Sequence, residues 1–245
     1  MAPDRVLLVT GASGVIGRAV AALGLNEGWR VATAHRRADD ALDAAGALES
    51  SASDRLHRVS CELSDPAAVE RAVQSIVSRW GRIDALVHCA GSFQRVPLLE
   101  QSAADWLRAF DDNLHGLFHL SQAVAPLMRR ERWGRIVSFA SANADQAIGQ
   151  PLVTAHAIAK LGVLVLTRSL ARVLGPDGIT ANAISPGFVA SSGLSAEDLA
   201  AIAPQIPAGR LGGAEDITAV IRFLLSDEAA YVSGANIQVS GGWGV

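Results

Sequence analysis

The chain carries only 2 cysteines, Cys61 and Cys89, and a single tyrosine, Tyr231, in 245 residues. So few cysteines give no disulfide framework and fit a reducing compartment. Excess charge is lacking as well. The 21 Lys and Arg against 24 Asp and Glu leave a net charge of -3, with no basic field for nucleic acid. The local run Arg129-Arg130-Glu131-Arg132 reads as a solvated helix end. No apolar stretch reaches the ~20 residues needed to span a bilayer. The first residues run almost directly into an apolar strand, without a secretory leader. Long linkers, internal repeats and low-complexity blocks are missing too. These absences leave a soluble cytoplasmic protein as the expectation, with no nucleic-acid or membrane partner and no metal site.

What the chain does have is a large apolar inventory, 50% of its residues, patterned in alternation. Val6–Thr10, Arg30–Ala34, Leu56–Ser60, Ala85–His88, Arg135–Phe139, Thr180–Ile184 and Asn236–Val239 read as strands. They are nearly continuous apolar runs, as expected when both faces of a sheet are covered. Helical patterns separate them at Val15–Glu27, Pro66–Trp80, Ala103–Arg130, Thr154–Leu174 and Ala214–Ser226. Pro66, after Ser64-Asp65, suits a helix start, and Gly175-Pro176-Asp177-Gly178 stops one helix and turns into a strand. Ala38–Asp54, rich in Ala, Asp and Ser, reads as a short helix and a loop. The order implies an α/β fold: one doubly wound domain over residues 1–245, with a mostly seven-stranded parallel sheet flanked by helices.

The first strand leads into Thr10-Gly11-Ala12-Ser13-Gly14-Val15-Ile16-Gly17, which opens the first helix. In that context glycines have separate uses in binding a dinucleotide on a Rossmann fold. Gly11 permits the tight turn, Gly14 lets backbone approach a pyrophosphate, and Gly17 allows helix to pack on sheet. Ser13 and Ile16 lie where a helix N-terminus offers free N–H groups and its positive dipole end. At the end of the second strand stands Ala34-His35-Arg36-Arg37. A carboxylate here would hold the ribose 2′-hydroxyl of NAD. His35, Arg36 and Arg37 instead suit a 2′-phosphate, because guanidinium groups pair with it bidentately. The pattern points to NADP(H), with exposed loop residues as the competing reading, stronger for Arg37 than for Arg36.

Further along, the chain resembles the short-chain dehydrogenase/reductase family over essentially its whole length. Cys61-Glu62-Leu63 is similar to the Asp-Leu pair beside the adenine, with Glu62 as the substitute. His88-Cys89-Ala90-Gly91 resembles Asn-Asn-Ala-Gly with both asparagines changed; Ala90 and Gly91 still allow close backbone approach to the cofactor. Asp112-Asn113-Leu114-His115-Gly116 matches Asn-x-x-Gly, making Asn113 the asparagine that holds a water in the proton relay. Gly134 to Ser141 matches the strand that ends in the catalytic serine, Ser141. Asn182-Ala183-Ile184-Ser185-Pro186-Gly187-Phe188-Val189 resembles the segment along the nicotinamide, which assigns Pro186, Gly187 and Val189 to the cofactor. The Gly-x-x-Gly-x-x-Gly spacing of the first turn departs from the family's usual Thr-Gly-x-x-x-Gly-x-Gly.

The largest departure lies on the active-site helix. The family is marked by Tyr-x-x-x-Lys; here Lys160 is present, and the residue four before it is His156. Ser141 and His156 are separated by 14 residues, where the family usually has 12. Asp145 and Gln146 lie in that longer segment, which reads as a solvent-exposed turn. Histidine titrates near ~6.5 unaided, so it needs no lowering to act as a base near neutrality. The resemblance then implies an NADP(H)-dependent oxidoreductase working on a carbonyl or alcohol of a small or apolar substrate. Its proposed catalytic set is Asn113, Ser141, His156 and Lys160, with Lys160 also on the nicotinamide ribose. The other reading is a cofactor-binding protein without carbonyl redox turnover: a sensor, a structural partner, or a dehydratase- or cyclase-type enzyme. The resemblance also implies a homotetramer or homodimer built on the two long helices and the C-terminal strand.

Overall fold

Val6–Thr10 is buried at every residue, and its side chains alternate between two cores. Val6 and Leu8 join one apolar cluster, Leu7 and Val9 the other. A strand buried on both faces belongs inside a sheet covered on both sides. The computed structural model describes residues 5–36, 54–190, 197 and 201–244, and it places this strand, β1, near the middle of a seven-stranded sheet. The others are β2 (Arg30–His35), β3 (Leu56–Ser60), β4 (Ala85–His88), β5 (Gly134–Phe139), β6 (Ile179–Pro186) and β7 (Asn236–Val239). Their order is β3-β2-β1-β4-β5-β6-β7, and every pairing is parallel. The sheet is thus parallel throughout. The chain reverses its direction of travel across the sheet beside β1, which opens a crevice at the carboxyl ends of β1 and β4.

The helices follow their local signals. α1 (Val15–Asn26) starts directly after the glycine turn. α2 (Pro66–Trp80) is capped by Asp65, whose carboxylate accepts the Ala67 N–H at 2.9 Å, and it ends at Gly81 with φ 78°. Such an N-cap contributes about 1 kcal/mol. The stretch read as one helix over Ala103–Arg130 is interrupted. α3 (Ala103–Phe110) passes into a π-helical turn at Asp111–His115, and α4 (Gly116–Glu131) follows. α5 (Thr154–Leu174) and α6 (Ala214–Leu224) complete the elements that concern the site. Residues 38–53 of the proposed Ala38–Asp54 helix and loop lie outside the described residues. No helix among the described residues is long and apolar enough to cross a membrane.

Far from the crevice, Trp133 is sandwiched between guanidinium groups. Arg5 lies 3.7 Å and Arg135 4.3 Å from its ring centre. The Trp133 indole N–H donates to Asp227 at 2.9 Å.

Candidate active site

Glycine is required in the first turn for space as well as conformation. Gly11 has φ +66°, and a Cβ there would come within 2.7 Å of the Ala90 nitrogen. A Cβ on Gly17 would collide with the Gly11 carbonyl oxygen. The turn closes through Gly14 N–H to Gly11 O at 3.0 Å. Gly14 caps α1 without a side-chain bond, and the first turn of the helix carries no acidic residue. Its N–H groups and positive end therefore remain available to an anion. Gly11, Ser13 and Gly14 line a hollow of about 250 Å³. Ile16 and Gly17 stand behind it, Ile16 packed on the apolar core. The residues fit a nucleotide pyrophosphate.

The same hollow is walled by His35, Arg36, Glu62, Leu63, Ala90 and Gly91, all expected near a cofactor. Two of them also have partners within the protein. β2 runs one residue further than Ala34, so His35 belongs to the strand; it is buried, and its Nε2 pairs with Thr33 Oγ1 at 2.8 Å. Arg36 faces outward with its guanidinium 3.8 Å from the Asp112 carboxylate. Glu62 accepts a hydrogen bond from Ser64 Oγ at 3.1 Å. Arg37 lies outside the described residues. Asp111, Asp112, Cys61 and Cys89 also line the hollow. Burial pushes both thiols up, Cys61 to about 11, so both are protonated at neutral pH.

Deeper in, Gly91, Asn113 and Lys160 meet. A Cβ on Gly91 would stand 2.6 Å from Asn113 Oδ1 and 3.4 Å from Lys160 Nζ. The π turn gives Asn113 its position: its Nδ2 donates to Ala109 O at 3.0 Å and to Ser92 O at 2.9 Å. Single π turns inside helices are frequent at functional sites. Asn113 Oδ1 is buried without a partner among the described residues, an acceptor that a buried water would satisfy. Lys160 is buried and donates from Nζ to Phe139 O at 2.8 Å. Burial lowers its pKa to about 8, an effect the Cys89 thiol opposes.

His156 and Lys160 stand on one face of α5, one turn apart. The imidazole and the Phe93 ring lie nearly perpendicular with centres 5.1 Å apart, and the imidazole Nδ1 bonds to Ser92 O at 3.1 Å. Burial, then the Lys160 charge, push its pKa down to about 4, against the raising effect of the Ser92 bond. His156 and Ser141 both line a second cavity of about 550 Å³. Its walls are Phe93, Ile148, Val153, Phe188 and Trp243, with Pro186 and Gly187 on the sheet side and no charged side chain among the described residues. Val189 lies just beyond, paired with Gly212. Asp145 and Gln146 are exposed, as expected of a solvent-facing turn. Each also ties down the C-terminal region: Asp145 accepts from Asn236 at 3.3 Å and Gln146 donates to Gly244 O at 3.2 Å.

A family model described as enoyl-(acyl carrier protein) reductase matches residues 11–244. The 3-oxoacyl-(acyl-carrier-protein) reductase of Salmonella typhimurium is 36% identical over 249 residues, covering 97% of this chain and 96% of that protein. The enzyme of the same name from Staphylococcus aureus (strain Mu50) is 34% identical over 245 residues, covering 99% of both. The crystal structure of levodione reductase superimposes with a TM-score of 0.89 at 30% identity, covering 99% of this chain and 98% of that one. The chain belongs to the short-chain dehydrogenase/reductase family.

For this short-chain dehydrogenase/reductase, the geometry brings Ser141 and His156 to one cavity and Asn113 and Lys160 to the Gly91 backbone beside it. Several lining groups were missed from the sequence. Ser92 and Phe93 follow directly on the recognised Ala90-Gly91 pair, which was a usable signal. Phe188 belongs to the segment expected along the nicotinamide; Trp243, missed as a lining residue, packs on it with ring centres 4.6 Å apart and planes tilted by 60°. Nothing in the local pattern links those two positions.

Proposed function

We propose that the protein is an NADP(H)-dependent oxidoreductase that interconverts a carbonyl and an alcohol on a small, apolar, uncharged substrate, with His156 in the place of the family's tyrosine. One observation carries the reading. The nucleotide-lining hollow reaches Ser92 and the apolar cavity begins at Phe93, so the two adjoin along consecutive residues, with Ser141 and His156 on the cavity side.

When bound, the nicotinamide supplies hydride donation or acceptance. Gly11, Ser13, Gly14, Ile16 and Gly17 would hold the pyrophosphate at the start of α1. Glu62 and Leu63 would border the adenine, Ala90 and Gly91 the backbone of the cofactor, and Pro186, Gly187 and Val189 its nicotinamide end. Lys160 would hold the ribose. Ser141 Oγ orients the substrate oxygen, His156 exchanges its proton, and Asn113 Oδ1 holds a water on the proton's path. The absence of a carboxylate at the end of β2, with Arg36 and Arg37 following, supports NADP(H) over NAD(H). The exposed apolar side chains Phe118, Ile158 and Val165 border one groove across α4 and α5 and support a homotetramer or homodimer. The two free cysteines, Cys61 and Cys89, agree with a cytoplasmic enzyme.

The test is hydride transfer from NADPH and NADH to a panel of apolar ketones, and in reverse from the matching alcohols, followed at the cofactor's absorbance. Turnover with NADPH favoured is expected. No turnover with any pair would overturn the redox reading in favour of a cofactor-binding protein.

A further inference from the structure

The hydrogen bond from His156 to Ser92 has a chemical meaning beyond holding the ring. Ser92 O is a carbonyl oxygen and can only accept, so His156 Nδ1 must carry the hydrogen of the bond. A neutral imidazole has one N–H, and here it is spent on Ser92. Nε2 is then a bare lone pair. Among the described residues it has no hydrogen-bond partner, and it is not among the buried polar atoms left without one, such as Asn113 Oδ1. It therefore remains accessible from the cavity that His156 lines. Ser92 O is itself fixed, because Asn113 Nδ2 donates to the same oxygen at 2.9 Å. Burial and the Lys160 charge keep the ring neutral.

We infer that the apolar cavity takes its ligand as an alcohol, with His156 Nε2 accepting the hydroxyl hydrogen and the Ser92 carbonyl acting as the group that sets this polarity. A ketone oxygen placed at Nε2 would oppose two lone pairs; a hydroxyl would complete a hydrogen bond. In an uncharged, largely apolar cavity such a mismatch weakens binding about tenfold or more. The inference rests on the proposed redox function for its catalytic consequence. The hydroxyl O–H breaks and its proton goes to Nε2. The carbinol C–H breaks with its electron pair, which leaves as hydride to an oxidised nicotinamide, and the C–O bond becomes a carbonyl. Oxidation of a small secondary alcohol is thus the direction the resting site is set for. Ser92 acts through His156 as a positioning residue.

The full chain, labelled with nitrogen-15 histidine, would be studied by long-range proton–nitrogen NMR near neutral pH, with His156→Tyr identifying the His156 signals by their loss. The expected pattern is a protonated Nδ1 and a bare Nε2. Titration with cyclohexanol should move the Nε2 resonance and give a dissociation constant at least about tenfold below that of cyclohexanone. His156→Tyr, which replaces the acceptor by a hydroxyl that can donate, should narrow or reverse the preference. A protonated Nε2 in the free protein, or cyclohexanone binding as tightly as cyclohexanol, would overturn the inference. If neither compound binds, the tautomer decides alone. None of these readouts needs NADP(H) or turnover, so absent hydride transfer would sink the proposed function without touching this result.

Discussion

Replacing His88 by asparagine should flatten the acid side of the protein's stability curve. His88 sits at the end of β4, 2% exposed. Its Nδ1 lies 3.0 Å from Thr10 Oγ1, and its Nε2 is buried without a partner among the described residues. Burial, reinforced by the Lys160 charge, holds its pKa down to about 3, against about 6.5 in an unfolded chain. Between those values the unfolded state binds a proton that the native state refuses. Stability from this residue is therefore complete above the unfolded value and is lost as the pH falls toward the folded one. The slope is about 1.4 kcal/mol per pH unit, which integrates to about 2 kcal/mol between pH 7 and pH 5. An unfolding entropy of about 2.1 cal/mol/K per residue over 245 residues converts this to about 4 °C. Thermal melts of both proteins at the two pH values, at one protein concentration, supply the measurement. Other groups titrate in both proteins and cancel in the comparison; His156, shifted in the same direction, is among them. The fall in Tm on acidification should be smaller in His88→Asn by about that amount. Equal falls in the two proteins would refute the buried, unprotonated His88 on which the estimate stands.

Asp112→Asn should tighten NADPH binding relative to NADH, because it frees Arg36 from its carboxylate partner and removes a negative charge from the hollow. Arg36→Asp should narrow or reverse the preference; fluorescence titration with each cofactor checks both. Gly91→Ala should lower turnover steeply, since its Cβ would sit 2.6 Å from Asn113 Oδ1, and circular dichroism would confirm that the fold survives. His156→Ala should lower turnover by up to ~10²–10⁴-fold if the histidine exchanges the substrate proton. Unchanged steady-state rates would make it a bystander. Light scattering at micromolar concentration should give a dimeric or tetrameric mass, and Val165→Glu should reduce it.

Much of this could be read from residues in order, and what was missed turns mainly on contacts distant in the sequence. β1, β3, β4, β7, α2 and α5 begin and end where the apolar runs and the Pro66 and Gly175 signals put them, because those boundaries are set locally. The π turn at Asp111–His115 was invisible. It contains no glycine or proline, and its geometry goes with Asn113 reaching Ser92, 21 residues away. β2 runs one residue past Ala34, which puts His35 on the same strand face as Thr33, two positions back, a pairing recoverable from strand alternation. The tautomer of His156 depends on a carbonyl 64 residues away, and no pattern in α5 encodes it.

The packing of Trp243 against Phe188 gives the protein an internal optical reporter. The chain has 5 tryptophans, and Trp243 walls the apolar cavity. Trp133 and Trp29 pack with ring centres 6.3 Å apart and planes tilted by 45°, beside Arg5 and Arg135. Trp80 meets His57, and Trp106 meets Phe110. A molecule entering the cavity changes the polarity around one indole while leaving four as a constant background. Occupancy by a colourless ligand, with no cofactor and no turnover, thus becomes a shift in emission, and Trp243→Phe removes it.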